Sequence, residues 1–288
     1  MKKKKINKTY LIIFLIVLLI MLLWTLNRCN MYYIVGNYIF DKNYRENFGL
    51  ADGPTRLNYN LFQLIKYIFT GQIWLFDYIL IFGTGLFQVI LPGIVSIAGL
   101  NFYGKLHTIN KTTAYRKKNY ANYIANDILL ESLKISISVF SAYIAYYLFA
   151  LYLSGGQLSD YAGRELFLDI LGDDFYTKYP YFYYLLDGFV RFFMIPFIYS
   201  LYACAISLFA NGKKQVFLAS NAYYYGLTVV AFGLYMLIGN NAIYLNPTVI
   251  MASGAYLDIN TILLMSLHMI PIIISYFMIK RHVNHVEL

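Results

Sequence analysis

Five ionisable residues interrupt otherwise apolar stretches of this sequence, and they are the first candidates for chemistry. Asp127, Glu131 and Lys134 have the spacing that places side chains on one face of a helix, and Asp187 and Arg191 are four residues apart. Ionisable groups are costly in an apolar environment, so such residues can mark the path of an ion or a substrate. The alternative is structural: each helix neutralises its own charges, and the long side chains extend toward a polar surface.

Other reactive residue types give no catalytic pattern. The sequence contains no glycine-rich phosphate loop, no paired cysteine or histidine spacing for a metal inside an apolar run, and no nucleophile elbow. His282 and His285 could bind a metal but are expected in a solvated tail, and the isolated His268 is expected to form a hydrogen bond between helices. Cys29 and Cys204 are expected to stay free thiols. We therefore expect no enzymatic activity and no cofactor bound by this chain.

The composition indicates which kind of element holds these residues. Of the 288 residues, 60% are hydrophobic and only 13% are charged, which is more apolar than a soluble globular domain. The net charge of +9 would suggest a nucleic-acid ligand in a soluble protein. Here Lys2 to Lys5 directly precede an apolar run, as in membrane proteins with a cytoplasmic amino terminus. The sequence therefore predicts a lipid bilayer as the environment and no nucleic acid as a partner.

Six apolar runs are long enough to cross a bilayer as helices, for which about 20 residues are needed. They cover residues 10–26, 74–100, 128–153, 183–210, 216–238 and 259–279. The prediction is an all-α, polytopic membrane protein with six transmembrane helices, in which residues 1–288 form a single transmembrane domain. Trp24 to Cys29 contain no small-x-small cleavage site, so we expect the first run to be a retained anchor rather than a signal peptide. Pro92, Pro196 and Pro271 lie well inside the second, fourth and sixth runs and are expected to bend those helices.

The distribution of basic residues predicts the orientation. Of the 23 lysines and arginines, 14 lie in segments that face inward if the amino terminus is cytoplasmic, 7 lie in outward segments, and two lie within the runs. This excess places both termini in the cytoplasm. The charged residues of the third run then lie near its inner end, whereas Asp187 and Arg191 lie near the outer end of the fourth. A bond between these two sets is therefore not expected, and Asp77 is the alternative partner for Arg191.

The loop between the second and third runs is the strongest candidate for a partner-binding segment. Phe102, Leu106 and Ile109 form a short apolar stripe, and a basic cluster follows before the chain re-enters the membrane. The loop is either a short interfacial helix that a protein partner binds or a basic loop that anionic lipid holds. The candidate residues of this loop are Phe102, Tyr103, Lys105, Leu106, Ile109, Arg116, Lys117 and Lys118.

This layout resembles the permease subunits of type-2 ATP-binding-cassette exporters, which are common in low-G+C Gram-positive bacteria. The similar features are six spans, a large outer segment after the first, a glycine-bearing stretch from Gly99 to Gly104, a basic stretch from Tyr115 to Ile124, and Leu245-Asn246-Pro247 before the last span. The likeness extends over nearly the whole chain but includes no diagnostic motif. One departure is that residues 101–126 contain only basic charge, where the family often has an acidic residue.

The resemblance implies a function that is shared among several subunits. In this family the inner loop after the second span carries a coupling helix that binds a separate ATPase. The segment between the last two spans often dips into the outer leaflet, and two permease subunits form the pathway. By this resemblance the chain would be a multi-pass protein of the cytoplasmic membrane, with ATP and Mg²⁺ bound by its ATPase partner. Its substrate would be a peptide, a lipid-like molecule or a drug. The alternative is a six-helix membrane protein without an ATPase that serves in peptide immunity or sensing.

Overall fold

The computed structural model describes residues 8–28, 31–43, 75–107, 120–159, 166–251 and 260–286. This part of the chain is mostly helical and contains no β-strand. Six helical stretches of this part of the chain are long and apolar enough to cross a membrane, which confirms the all-α class and agrees with the six predicted runs. They are Lys8–Asn27, Phe87–Lys105, Tyr120–Ser154, Pro180–Ser207, Lys213–Ile238 and Thr261–Asn284, named spans one to six below. The inner end of a span is the one that is predicted to face the cytoplasm.

The largest difference between the predicted and the observed bounds of span two lies at its outer end. The apolar run over 74–100 is divided into a helix Phe76–Thr84 and a helix Phe87–Lys105, with a turn between them. The turn contains Gly85, a poor helix former. Just before it, the hydroxyl of Thr84 donates to the carbonyl of Leu80 at 2.8 Å, a side-chain bond that often bends helices. The longer of the two helices is the one that meets the length of a membrane span.

Spans two and three extend further toward the inner side than predicted. Span two ends at Lys105 rather than at residue 100, and span three begins at Tyr120 rather than at residue 128. The added turns bury Phe102 in one helix, and Tyr120 and Ile124 in the other. A helix that buries one face remains stable beyond the end of its uninterrupted apolar run. Span three has 35 residues and is therefore longer than the bilayer core requires.

Span four changes its helical geometry near its proline. It consists of a helix Pro180–Phe189, a π-helical turn Val190–Met194 and a helix Ile195–Ser207. The first N–H after the turn bonds to the carbonyl five residues before it rather than four. Pro196 follows at once, and proline removes one helical donor, so a wider turn is an expected accommodation. Arg191 lies within this turn.

Span six is interrupted two residues before its proline. A helix Thr261–His268 ends at Met269, and a second helix Ile270–Val286 begins with Pro271 as its second residue. Proline has no N–H to continue a helix and is tolerated in the first turn of a new one, which accounts for a break just before Pro271. The second helix continues past the predicted end at residue 279, so His282 belongs to a helix rather than to a solvated tail.

Short helices connect the spans. They are Met31–Phe40 after span one, Leu168–Leu171 and Asp173–Lys178 before span four, and a 3₁₀ helix Gly239–Leu245 followed by Pro247–Met251 before span six. The described residues between spans three and four, 155–159 and 166–179, form hydrogen bonds with neighbouring elements. The N–H of Phe76 donates to the carbonyl of Gln157 at 2.7 Å, and the carboxylate of Asp169 accepts the N–H of Thr261 at 2.8 Å. This segment therefore joins the outer ends of spans three and six to the helix that precedes span two.

Spans two, three and four form the core of the bundle. In the most apolar part of span four, 72% of the residues are buried, whereas the corresponding share in span five is 11%. The exposed side chains of span five are still apolar, and Leu218, Val229 and Phe232 are 65%, 71% and 65% exposed. Lipid tails are as apolar as these side chains, so a helix in a bilayer needs no polar outer face. The burial pattern therefore fits a protein whose solvent is lipid.

Candidate functional site

Glu131, near the inner end of span three, binds side chains from three spans. Its carboxylate is buried, and Oε2 accepts a hydrogen bond from the hydroxyl of Tyr10 in span one. Oε1 accepts from the ammonium group of Lys105, the last residue of span two, and from that of Lys134 at 2.7 Å. We call these four residues the inner cluster. The cluster joins spans one, two and three at the end of the bundle from which the inner loop leaves.

The inner cluster places two cations beside one anion. The side chains of Lys105 and Lys134 are 39% and 43% exposed, whereas that of Glu131 is 1% exposed. The buried carboxylate is thus fully neutralised, and both ammonium groups retain access to the surface, as expected for lysines near a membrane interface. Lys134 also lies 5.5 Å from the ring centroid of Tyr10, within the range of a cation–π interaction. The sequence predicts the Glu131–Lys134 pair, but not the groups that spans one and two contribute.

Asp127 shares the predicted helical face but does not belong to the inner cluster. It lies one turn closer to the inner end of span three and is partly exposed. Among the residues that the structure describes, it forms no ion pair. Solvation by water or lipid headgroups can satisfy a carboxylate in this position, so it needs no cationic partner.

The candidate residues of the inner loop do not form one exposed stripe. Phe102 is fully buried, contrary to the prediction that it presents an apolar surface to a partner. Tyr103 is also buried, and Leu106 is half-buried against the core. The reason is that the helix of span two continues through these positions and turns Phe102 and Leu106, four residues apart, toward the bundle. The remaining candidates lie outside the described residues: Ile109, Arg116, Lys117 and Lys118.

Asp187 and Arg191 form a buried ion pair in span four, in the arrangement that their spacing predicts. The Nε of Arg191 donates to Oδ1 of Asp187 at 2.8 Å, and the two side chains are 2% and 5% exposed. The Nη1 of Arg191 also donates to the carbonyl of Ile250 at 3.0 Å. Ile250 lies in the short helix Pro247–Met251, so the ion pair attaches the connection between spans five and six to span four.

Asp77, the predicted alternative partner for Arg191, binds elsewhere. Its carboxylate accepts the N–H of Ser159 at 3.1 Å and also the hydroxyl of the same residue. This contact joins the helix before span two to the segment that follows span three. Its role is therefore to fix the outer ends of these elements, and Arg191 is neutralised within its own span.

Two histidines join helices. His268 is buried, and its Nδ1 lies 3.3 Å from the hydroxyl of Tyr199 in span four, which agrees with the predicted bond between helices. Its Nε2 is buried and has no hydrogen-bond partner in the described part of the chain. The Nε2 of His282 lies 3.1 Å from the hydroxyl of Tyr120 at the start of span three. The sequence does not indicate either tyrosine as the partner, because each lies far along the chain from its histidine.

The arrangement offers little to a metal ion. Within the described ranges, no group of three histidine, cysteine, aspartate or glutamate side chains could hold one. Cys204 is a buried free thiol. The ionised groups of the inner cluster and of the Asp187–Arg191 pair instead bind one another, and each set connects separate elements of the bundle. Their chemistry is therefore that of charged links between helices at two different depths.

Comparison with known proteins adds no relative from which a role could be transferred. No protein-family model, no curated protein and no solved structure matches this chain. The roles of the charged links and of the connecting segments are therefore inferred from their own geometry and from the layout of the spans.

Proposed function

We propose that this chain is the membrane-spanning permease subunit of an ATP-driven exporter. In this proposal both termini face the cytoplasm, and the protein lies in the cytoplasmic membrane of a Gram-positive bacterium. A separate ATP-binding-cassette subunit binds ATP and Mg²⁺ and binds the inner loop of this chain. A second permease subunit, identical or different, completes the pathway. The substrate is a peptide, a lipid-like molecule or a drug, and the chain itself catalyses no reaction.

The observation that carries this proposal is the connection between spans five and six. Its short helix Pro247–Met251 packs against the helix of span two, and four of its five residues are buried. Backbone that departs from a continuous helix at membrane depth is tolerated only where protein satisfies its polar groups, and Arg191 does this for the carbonyl of Ile250. In the exporters that the layout resembles, the same connection often dips into the outer leaflet. The packing of this connection therefore supports the resemblance.

The inner end of span two gives a second line of support. Its helix continues to Lys105, and the inner cluster holds that residue against spans one and three. While these contacts are made, a partner that moved the inner loop would therefore act on three spans at once. Such a connection is what an external motor requires, because the chain has to convert movement at one surface into movement of its helices.

Copurification tests the proposal directly. The tagged chain would be expressed at its native level in its own host, crosslinked in intact membranes and purified, and ATP-binding subunits would be identified by mass spectrometry. We expect an ATP-binding-cassette subunit in stoichiometric amount and ATP hydrolysis by the purified complex. A well-folded chain that is crosslinked to no ATP-binding subunit would contradict the proposal and favour a protein of peptide immunity or sensing.

A further inference from the structure

The two lysines of the inner cluster have different relations to the rest of the fold. Lys134 is three residues from Glu131 on the same helix, so it remains beside the carboxylate however span three moves. Lys105 reaches the same oxygen from span two, and the chain continues from it into the inner loop. Any displacement of the end of span two therefore changes the Lys105–Glu131 contact and leaves the Lys134–Glu131 contact intact.

This difference makes the contact between spans two and three reversible. A buried carboxylate with a single cationic partner holds that partner firmly, because separation leaves an unpaired charge in an apolar environment. Glu131 keeps Lys134 on Oε1 and Tyr10 on Oε2 after Lys105 leaves. The ammonium group of Lys105 can also be solvated after it leaves, since its side chain is already 39% exposed. After the two residues separate, Glu131 therefore remains paired and the ammonium group of Lys105 is solvated.

We propose that Lys105 and Glu131 form a releasable clasp that joins the inner ends of spans two and three, and that Lys134 is the residue that permits its release. When the clasp is closed, the end of span two is held against spans one and three. When it is open, the same end is free to follow the inner loop. The inference rests on the proposed function for what moves the loop, whereas the clasp itself can be tested without a partner.

Hydrogen–deuterium exchange of the full-length chain in lipid nanodiscs separates the roles of the two lysines. The readout is the exchange of backbone amides in peptides that cover residues 98–107. Lys105→Met removes the clasp, so exchange there should rise by about threefold or more, while the melting temperature stays close to that of the wild type because Glu131 remains paired. Lys134→Met leaves Lys105 as the only cation beside Glu131, so exchange at the same amides should fall.

Two further variants control the experiment. Lys105→Arg keeps the charge and should retain wild-type exchange. Lys178→Met removes an exposed lysine from a 4.0 Å pair with Asp174 elsewhere in the chain and should leave exchange at residues 98–107 unchanged. Opposite effects of Lys105→Met and Lys134→Met would support the clasp.

An increase of exchange in both lysine variants would mean that the cluster is an ordinary structural contact, and the clasp would be wrong. No change in Lys105→Met would overturn it equally. These outcomes do not depend on the exporter proposal, which fails separately if no ATP-binding subunit is crosslinked to the chain.

Discussion

The hydroxyl of Tyr224 donates a hydrogen bond of 2.8 Å to the main-chain carbonyl of Gln88. Gln88 lies four residues before Pro92, so its carbonyl is the one to which the proline offers no N–H donor. In the hydrocarbon core of a bilayer, no water is present to donate a hydrogen bond to such a carbonyl. A side chain of span five therefore satisfies the backbone group that the proline of span two leaves open.

This relationship predicts a double-mutant effect. Tyr224→Phe should reduce stability by about 1–3 kcal/mol, the cost of a buried polar group that loses its partner. In a Pro92→Ala background, residue 92 supplies an N–H to Gln88, so the same substitution should have a clearly smaller effect. The measurement is the unfolding of the purified protein in detergent, with the exposed Tyr235→Phe on the same span as the control. Equal losses in the two backgrounds would show that the carbonyl of Gln88 does not need Tyr224.

The buried ion pair of span four provides a second prediction. Asp187→Ala leaves the guanidinium of Arg191 buried without its carboxylate, and we expect a loss of about 3–5 kcal/mol in stability and a lower yield of folded protein. The matched control is Asp174→Ala, which breaks a 4.0 Å pair with Lys178 at the same spacing but with the carboxylate 93% exposed. That change should be nearly neutral. Similar effects of the two substitutions would indicate that Arg191 is solvated.

Close packing of spans two and four gives a third prediction. A Cβ at Gly99 would lie 2.5 Å from the carbonyl oxygen of Ala203, whereas a Cβ at Gly93, on the same helix, would meet nothing within 4 Å. Gly99→Ala should therefore destabilise the protein by about 1–3 kcal/mol, because two backbones have to move apart. Gly93→Ala should be neutral or slightly stabilising, since alanine is the better helix former. Thermal unfolding of the two variants side by side checks this, and equal melting temperatures would contradict the close approach.

The sequence predicts the fold more completely than it predicts the contacts of the sites. Six spans follow from apolar runs alone, and the Asp187–Arg191 pair follows from spacing within one helix. The bond from Tyr10 to Glu131 joins residues 121 positions apart and depends on how two helices are rotated against each other, which no local pattern encodes. The buried position of Phe102 was missed because Asn101 ends the apolar run. The helix continues nevertheless, since burial of one face stabilises it.

The predicted orientation of the chain in the membrane gives a fourth prediction. The excess of basic residues in the inward segments places both termini in the cytoplasm. Reporter fusions after Leu288 should therefore be active with a cytoplasmic reporter and inactive with one that works only outside the cell. Fusions in the segment before span four, at residue 160, should give the opposite result and serve as the control. A carboxyl-terminal fusion that is active only outside would contradict the predicted topology.

The last prediction distinguishes the two interpretations of the inner loop. If a partner ATPase binds this loop, the contact should depend on the fit of apolar side chains into a groove. With Phe102 fully buried in the bundle, Leu106, which is only half-buried, and Ile109 remain as the apolar candidates. Leu106→Ala combined with Ile109→Ala should then abolish association with the ATPase and export, while insertion into the membrane stays normal.

Lipid binding depends instead on the number of positive charges, each of which adds about 1 kcal/mol near an anionic surface. Under partner binding, Lys117→Ala combined with Lys118→Ala should therefore have the milder effect on export. Copurified ATPase, export and insertion would be measured for both pairs of substitutions in the same membranes, with Phe102→Ala as a control that should lower stability through the core. Normal export from the apolar pair, together with faulty insertion of the basic pair, would assign the loop to lipid and remove the inner loop as support for an exporter.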